Sequence, residues 1–271
     1  MEAPIIDDEL WILIEPLLPP AKLRAKSDPG RPRVSDRAAL NGILFVFKTG
    51  IRWNHLPTRL GFGSGATCWR RLSDWQKAGV WDQLHELLLD KLRAAGQIDL
   101  SYAAVDSSSV RAVGAGEKLA RTPLIARDRF QAPRPRRRQR RSLVAILTGA
   151  NTNDVTQLLP LVDAIPPIRG VRGRPLQKPG VVYADRGYDS TRHRRALRER
   201  GIKPVIAKRR TEHGSGLGKY RWVVERTHSW LHNFRRLRTR FERSAYIHEA
   251  FLKLGCSLIC WNIFRRAEQG F

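Results

Sequence analysis

The chain has 271 residues, of which 42% are apolar, so it is long enough to form one large globular domain or two small ones. Its 50 Lys and Arg residues outnumber its 25 Asp and Glu residues, which gives a net charge of +25 at pH 7. A charge of that size requires a polyanionic partner, and nucleic acid is the expected one. No apolar run reaches the ~18 residues of a membrane-spanning helix, so we expect no membrane partner.

The N-terminus and the cysteine content favour a cytoplasmic protein. The first residues do not have the pattern of a signal peptide, and three cysteines, an odd number, argue against a disulfide framework. Cys256 and Cys260 lie four residues apart in an apolar segment. Because there is no second Cys or His pair at ligand spacing, we expect both in the core rather than on a metal.

The first 96 residues predict an all-α region. Apolar periodicity, capping residues and glycine or proline stops predict helices at 9–15, 37–48, 66–77 and 81–95. The pattern changes after Gly96-Gln97, where we place a domain boundary.

Two parts of this region, 1–96, suit a DNA-binding domain. The second and third helices have the outline of a helix-turn-helix, although an ordinary helical hairpin fits equally well. Polar side chains near the start of the third helix would contact DNA: Thr67, Arg70 and Arg71. The basic stretch 21–33 ends in Gly30-Arg31-Pro32-Arg33. It either lies along phosphates or in a minor groove, or forms a solvated linker.

Residues 97–271 alternate predicted strands and helices, the pattern of an α/β sheet domain. Apolar runs predict strands at 102–106, 143–148, 182–185 and 203–207. Helices are expected at 155–164, 191–200, around Glu225 and at 246–266. Residues 118–142 are rich in Arg, Pro and Gln and have no period or apolar face. We expect this segment to be disordered or bound to polyanion rather than to form a strand.

Three acids are placed as a metal-dependent site would need them. Asp106 and Asp185 each end an apolar strand, and ligands of open α/β sheets bind at that end. Glu225 lies in a predicted helix, with Arg221 one turn earlier on the same face. Two Asp and one Glu supply the hard oxygen ligands that Mg²⁺ takes, and pairs of Mg²⁺ ions catalyse phosphodiester hydrolysis. Each acid alone would be an ordinary surface residue, so the prediction depends on the set.

Basic residues around Glu225 are candidate phosphate contacts, although a solvated helix face explains each of them equally well: Arg221, Arg226, Arg235 and Arg236. Tyr188 and Trp222 could stack on a base, with a core role favoured for Trp222. A Ser-His hydrolase is disfavoured because the chain has no G-x-S-x-G elbow.

These residues resemble the DDE transposases of bacterial insertion sequences, specifically the insertion-sequence-five family, over almost the whole chain. The N-terminal part is similar through Gly30-Arg31-Pro32-Arg33, Leu40-Asn41-Gly42-Ile43 and Thr49-Gly50-Ile51-Arg52-Trp53. The C-terminal part is similar through Ala104-Val105-Asp106-Ser107, Leu147-Thr148-Gly149-Ala150-Asn151, Ala184-Asp185-Arg186-Gly187-Tyr188 and Arg221-Trp222-Val223-Val224-Glu225-Arg226. Arg52 and Arg186 lie within these motifs, and we include both among the candidate DNA contacts.

The resemblance implies a ribonuclease-H-like fold for 97–271, with Asp106, Asp185 and Glu225 as a triad that binds Mg²⁺, for which Mn²⁺ can substitute. It also implies a homo-oligomer assembled on the terminal inverted repeats of double-stranded DNA. Cleavage there frees 3′-hydroxyls that attack target DNA.

Residues 119–142 depart from the family, which has its second strand and an Asp-rich hairpin there. Our hypothesis is a pair of compensating frameshifts in GC-rich DNA, which would remove the strand that pairs with the one carrying Asp106. The main alternative function is therefore a catalytically impaired DNA-binding remnant. A general metal-dependent nuclease is a third possibility and would cut without specificity for transposon ends.

Overall fold

The computed structural model describes residues 5–21, 32–113, 119–127, 140–149, 151–210 and 227–269. It is a mixed α/β structure, as predicted. In the described residues no helix is long and apolar enough to cross a membrane.

The N-terminal part is helical, and its four predicted helices are confirmed to within a residue or two. They are α1 (Asp8–Ile14), α2 (Asp36–Thr49), α3 (Gly65–Lys77) and α4 (Val80–Ala94). Side-chain oxygens cap the first three: Asp7 accepts from Leu10 N, Ser35 from Ala38 N and Ser64 from Thr67 N. Gly50 ends α2 in the left-handed conformation, with φ of 76°.

The connection between α2 and α3 differs from a helix-turn-helix. That motif joins its helices by a turn of about three or four residues. Here the whole of 50–64 intervenes and includes two 3₁₀ turns, Trp53–His55 and Thr58–Leu60. Helices α2 and α3 therefore do not form the helix-turn-helix that the sequence suggested.

The C-terminal part contains a mixed sheet. Its strands are β1 (Tyr102–Val105), β2 (Ser108–Ala112), β3 (Leu119–Arg127), β4 (Arg140–Gly149), β5 (Val181–Ala184), β6 (Lys203–Ile206) and β7 (Thr239–Arg240). Both β1 and β2 pair antiparallel with β3, so they form one long strand interrupted at Asp106-Ser107. On the other side of β1, β5 and β6 follow in parallel.

Strand β3 corrects the prediction for residues 118–142. Leu119–Arg127 pairs with β1, β2 and β4, and β4 begins at Arg140 rather than at Leu143. The expectation that no strand forms there, and that the partner of the Asp106 strand is lost, is therefore wrong. Backbone hydrogen bonds to strands on both sides specify β3, and local composition does not reveal such partners. Residues 128–139 lie outside the described residues.

The remaining helices are α5 (Leu158–Asp163), α6 (Thr191–Glu199), α7 (described for 227–232), α8 (Arg235–Arg238) and α9 (Ala245–Glu268). Helix α5 follows a 3₁₀ turn, Asp154–Gln157, so the helix predicted at 155–164 is split between two helix types. The last helix was predicted at 246–266 and is confirmed.

Helix α9 joins the helical part to the sheet. It is apolar on nearly all sides, as expected for a helix that other elements surround. Its Lys253 donates to Asp82 of α4 at 2.8 Å, and its Cys256 lies 3.3 Å from the Ser142 hydroxyl of β4. Cys256 and Cys260 are buried, as predicted. One hydrophobic core contains residues from both sides of the boundary proposed at 96 and 97. The domain boundary itself stays a prediction.

The contact between α4 and β4 includes a histidine that makes stability depend on pH. The Nε2 atom of His85 lies 2.9 Å from the carbonyl oxygen of Ser142, and burial lowers the pKa of His85 to about 4. Because this folded-state pKa is below the ordinary value, the stabilisation is complete above pH ~6.5 and is lost as the pH falls toward 4.

We therefore expect His85 to contribute to acid destabilisation. Between pH 7 and pH 5 its share of the loss in unfolding free energy is up to about 2 kcal/mol, reduced by the partial exposure of the ring. Urea titrations of the wild type and of His85→Gln at both pH values measure it. A drop of equal size in the two proteins would contradict the assignment to His85.

Candidate functional site

Two predicted site residues meet at one edge of the sheet. Asp106 follows β1 and Asp185 follows β5, and these strands are parallel neighbours. The register pairs Ala104 with Tyr183, so two residues further on Asp106 is level with Asp185. Neighbouring strands are ~4.8 Å apart, which places the two aspartate backbones side by side. The expected adjacency of these two acids is confirmed by the strand pairing.

Backbone groups orient both carboxylates. Asp106 Oδ1 accepts a hydrogen bond from the Ser107 N–H at 2.9 Å, and Asp185 Oδ1 accepts one from the Gly187 N–H at 2.9 Å. A Cβ atom at residue 187 would lie only 3.0 Å from that same Oδ1. Glycine therefore permits the tight turn that holds the Asp185 side chain.

A third aspartate belongs to the same edge and was not predicted. Asp154 begins the 3₁₀ turn after β4, and its Oδ2 accepts a hydrogen bond from the Ser107 hydroxyl. Ser107 thus binds Asp106 through its backbone and Asp154 through its side chain. In the sequence, the only signal was that Asp154, like the other two, follows shortly after a strand.

Tyr188 lies beneath these acids. It is 1% exposed, so base stacking by this ring, suggested from sequence, does not fit the structure. Its hydroxyl lies near Ser107 but makes no hydrogen bond of good geometry with the described residues. Burial raises the pKa of Tyr188, and the negative charges of Asp154 and the two strand-end aspartates raise it further. The hydroxyl therefore stays protonated among the three carboxylates.

The loop after β6 supports the Asp185 turn from the other side. The Arg209 guanidinium donates to the carbonyl oxygens of Arg186 and Gly187, at 3.0 and 3.1 Å. The backbone N–H of Arg209 donates to Asp189, which lowers the pKa of that carboxyl, with a smaller effect from Arg194. Arg209 was missed at the sequence level because it lies 24 residues after Asp185 in an unremarkable Lys-Arg-Arg run.

The donor chemistry of this edge suits a hard cation. Two oriented carboxylates supply anionic oxygens of the type that Mg²⁺ prefers. Among the described residues, no group of three or more His, Cys, Asp or Glu side chains is arranged to hold an ion. The third predicted ligand, Glu225, lies outside the described residues, as do Arg31, Arg221, Trp222 and Arg226.

The other candidate DNA contacts are in several environments. Arg52, Arg70 and Arg235 are exposed, and Thr67 and Arg186 are half-buried. Arg33 and Arg71 both pair with Asp36, at 2.8 and 2.9 Å, so part of their charge is neutralised within the protein.

Arg236 does not have the exposure that a phosphate contact needs. It is 3% exposed, and its Nη1 donates to Glu242 Oε1 at 2.7 Å. Its Nη2 donates to the carbonyl oxygen of Ile51. The DNA contact predicted for Arg236 is therefore replaced by a structural ion pair. The sequence offered no means to separate it from its exposed neighbour Arg235.

Comparison with known proteins gives two family matches. Residues 100–263 match the family described as "Transposase DDE domain", and residues 6–85 match the family described as "Putative transposase of IS4/5 family". The first match covers more than half of the chain and includes the edge that carries Asp106 and Asp185. This match identifies residues 100–263 as a transposase DDE domain.

Three curated relatives are proteins of bacterial insertion sequences. A putative transposase for insertion sequence element IS402 from Burkholderia cepacia is 84% identical over 127 residues, which are 47% of this chain and 60% of that protein. An uncharacterized 16.2 kDa protein of insertion element IS402, also from Burkholderia cepacia, is 73% identical over 47% of this chain and 87% of its own length. The transposase for insertion sequence element IS1106 from Neisseria meningitidis serogroup B is 27% identical over 45% of this chain and 42% of its own. The chain belongs to the transposase DDE-domain family, and its residues 6–85 are similar to the IS4/5 family.

Proposed function

We propose that this protein cuts double-stranded DNA at the terminal inverted repeats of an insertion sequence and joins the freed 3′-hydroxyls to target DNA. The observation that carries the proposal is the register of Asp106 and Asp185 on adjacent parallel strands. Two carboxylates at that point of a sheet, in a chain of net charge +25, are what a metal-dependent reaction on DNA requires.

Asp106, Asp185 and Glu225 are the proposed ligands of Mg²⁺, for which Mn²⁺ would substitute. When bound, the metal ions would activate the attacking oxygen and stabilise the leaving oxygen. The protein's own contribution is orientation. Ser107 and Gly187 aim the two aspartates through backbone N–H groups, and Arg209 fixes the loop that follows Asp185.

We propose that the catalytic part is ribonuclease-H-like. The strand order supports this: β6, β5 and β1 run parallel, then β3 and β4 follow antiparallel. The uninterrupted pairing of β1 with β3 also removes the main argument for an impaired remnant, which was the loss of that strand.

DNA binding is assigned to the helical part, 1–96, and to basic residues near the carboxylates. The proposed contacts are Arg31, Arg33, Arg52, Thr67, Arg70, Arg71, Arg186, Arg221, Arg226 and Arg235. We propose that the protein acts as a homo-oligomer on the paired transposon ends, in the cytoplasm and in association with the nucleoid.

The test is cleavage of a labelled transposon end, with and without Mg²⁺. We expect a nick at the end of the inverted repeat only when Mg²⁺ or Mn²⁺ is present, and joining of that strand to a target plasmid. Salt-sensitive binding without cleavage would instead favour a DNA-binding remnant. Cleavage without end specificity would favour a general nuclease.

Asp154 gives a further prediction at the same site. Asp154→Ala should lower the cleavage rate by ~10- to 100-fold, because it removes the acceptor that holds the Ser107 hydroxyl beside Asp106. Asp163→Ala, the same change at an exposed position on α5, is the matched control and should leave the rate unchanged. An Asp154→Ala protein with the wild-type rate would show that the Ser107 contact is not needed to orient the site.

A further inference from the structure

A short arginine-rich hairpin extends from the sheet domain before β5. We define the arginine hairpin as residues 168–176. Two backbone hydrogen bonds between Ile168 and Leu176, of 2.8 and 2.9 Å, close it. Gly170 and Gly173 have φ of 93° and 115°, conformations that favour glycine. The turn of the hairpin is therefore formed around two glycines, while Ile168 and Leu176 anchor its base to the hydrophobic core.

The base of the arginine hairpin is fastened to the C-terminal half of α4. Arg93 donates to the carbonyl oxygens of Ile168 and Arg174, and Asp90 accepts from the Arg169 N–H. A Cβ atom on Gly170 would lie 2.1 Å from the carbonyl oxygen of Asp90, so only glycine allows the two backbones to meet. The hairpin is thus held in a defined position with its tip outward.

The arginine side chains of the hairpin form no ion pair with the part of the chain that the structure describes. Arg169, Arg172 and Arg174 are exposed, and no acidic side chain of the described residues pairs with any of them. Arginines of and next to α6 differ in this respect. Arg194, Arg195 and Arg200 pair with Asp189, Glu199 and Asp163, at 2.7 to 2.9 Å. Three exposed guanidinium groups within six residues, none of them in an ion pair with a described acidic side chain, make the hairpin a candidate site for a polyanion.

We propose that the arginine hairpin enters the minor groove of A·T-rich duplex DNA. This proposal rests on the proposed function, which makes DNA the partner of the protein. The minor groove is only ~6 Å wide, and A·T runs narrow it further and strengthen its negative potential, which attracts inserted arginines. Gly173 separates Arg172 from Arg174 and has no side chain, so the backbone between them can approach the groove floor.

The hairpin lies away from the carboxylates. It precedes the start of β5, where Gly180 donates to the carbonyl of Leu100 just before β1, whereas Asp106 and Asp185 follow the opposite ends of these strands. Binding by the hairpin can therefore be measured without cleavage.

The experiment uses the full chain carrying Asp185→Asn and three duplexes of equal length. Their central segments contain A·T pairs, G·C pairs, or inosine·C pairs. Inosine lacks the minor-groove amino group of guanine and keeps its major-groove oxygen and nitrogen acceptors. We expect the A·T and inosine·C duplexes to bind at least ~10-fold more tightly than the G·C duplex. The double variant Arg172→Ala, Arg174→Ala should abolish that preference.

The control is Arg195→Ala, Arg198→Ala, which removes two exposed arginines of α6 and should leave the ratio of affinities unchanged. The hairpin changes are at exposed positions, so thermal unfolding should be that of the parent protein. Equal weakening on all three duplexes, or an unchanged ratio, would overturn the proposal. The proposed catalytic function is tested separately, by cleavage with the wild-type protein. The affinity ratio is measured with the Asp185→Asn protein and needs no cleavage.

Discussion

The variant Asp185→Asn is expected to cut transposon-end DNA at least ~10³-fold more slowly than the wild type, equivalent to roughly 4 kcal/mol in the activation free energy. Asparagine preserves the size of the side chain, and its amide oxygen can still accept from the Gly187 N–H, so the turn should survive. What is lost is the negative charge next to Asp106. Measurement of single-turnover cleavage with a labelled end gives the ratio directly.

Binding and fold provide the controls for this variant. Affinity for the end DNA without divalent metal should equal or exceed that of the wild type, since one negative charge is removed near the phosphates. Asp163→Asn makes the same chemical change at an exposed position on α5 and should cut at the wild-type rate. Normal cleavage by Asp185→Asn would refute the assignment of Asp185 to the metal site.

The largest effect on stability is expected at Arg236. Arg236→Ala should lower the unfolding free energy by about 3–5 kcal/mol, because it leaves the buried Glu242 carboxylate without its cation. The Glu242 side chain is only 4% exposed, and the Arg236 guanidinium also binds the Ile51 carbonyl and lies 5.1 Å from the Phe241 ring centroid. Urea denaturation followed by circular dichroism measures the loss.

Two further variants separate the ion pair from general damage. Arg235→Ala, at the exposed neighbouring position, should change the unfolding free energy by less than ~0.5 kcal/mol. Replacement of both partners, Arg236→Met with Glu242→Leu, should restore most of the stability, because no buried charge is then left unpaired. If Arg236→Ala and Arg235→Ala were equally stable, the buried pair would have no energetic role.

The features that sequence predicted well depend on local patterns. Helices α2 and α3 have a serine cap and an apolar periodicity that a short window contains in full. Asp106 and Asp185 could be paired because each ends a short apolar run, and parallel strands bring such ends to one edge.

The features that sequence missed depend on distant partners. Strand β3 is specified by hydrogen bonds to β1, β2 and β4, while its flanking Arg and Pro residues hide it. Arg236 and Arg235 are identical in sequence terms, and only the fold buries one of them against Glu242. Asp154 reaches the site through a hydroxyl 47 positions earlier in the chain. The spacing of apolar residues along the sequence does not predict such long-range contacts.

The position of α9 limits how this transposase can exchange parts with its relatives. Helix α9 is at the C-terminal end of the chain, yet it packs on α4 of the N-terminal part and on β4 of the central part. A hybrid made by crossover between the helical part and the sheet part would join an α4 surface from one parent to an α9 surface from the other. Under the proposed function, new end specificities should therefore arise by substitution at exposed positions of the helical part rather than by shuffling of whole regions.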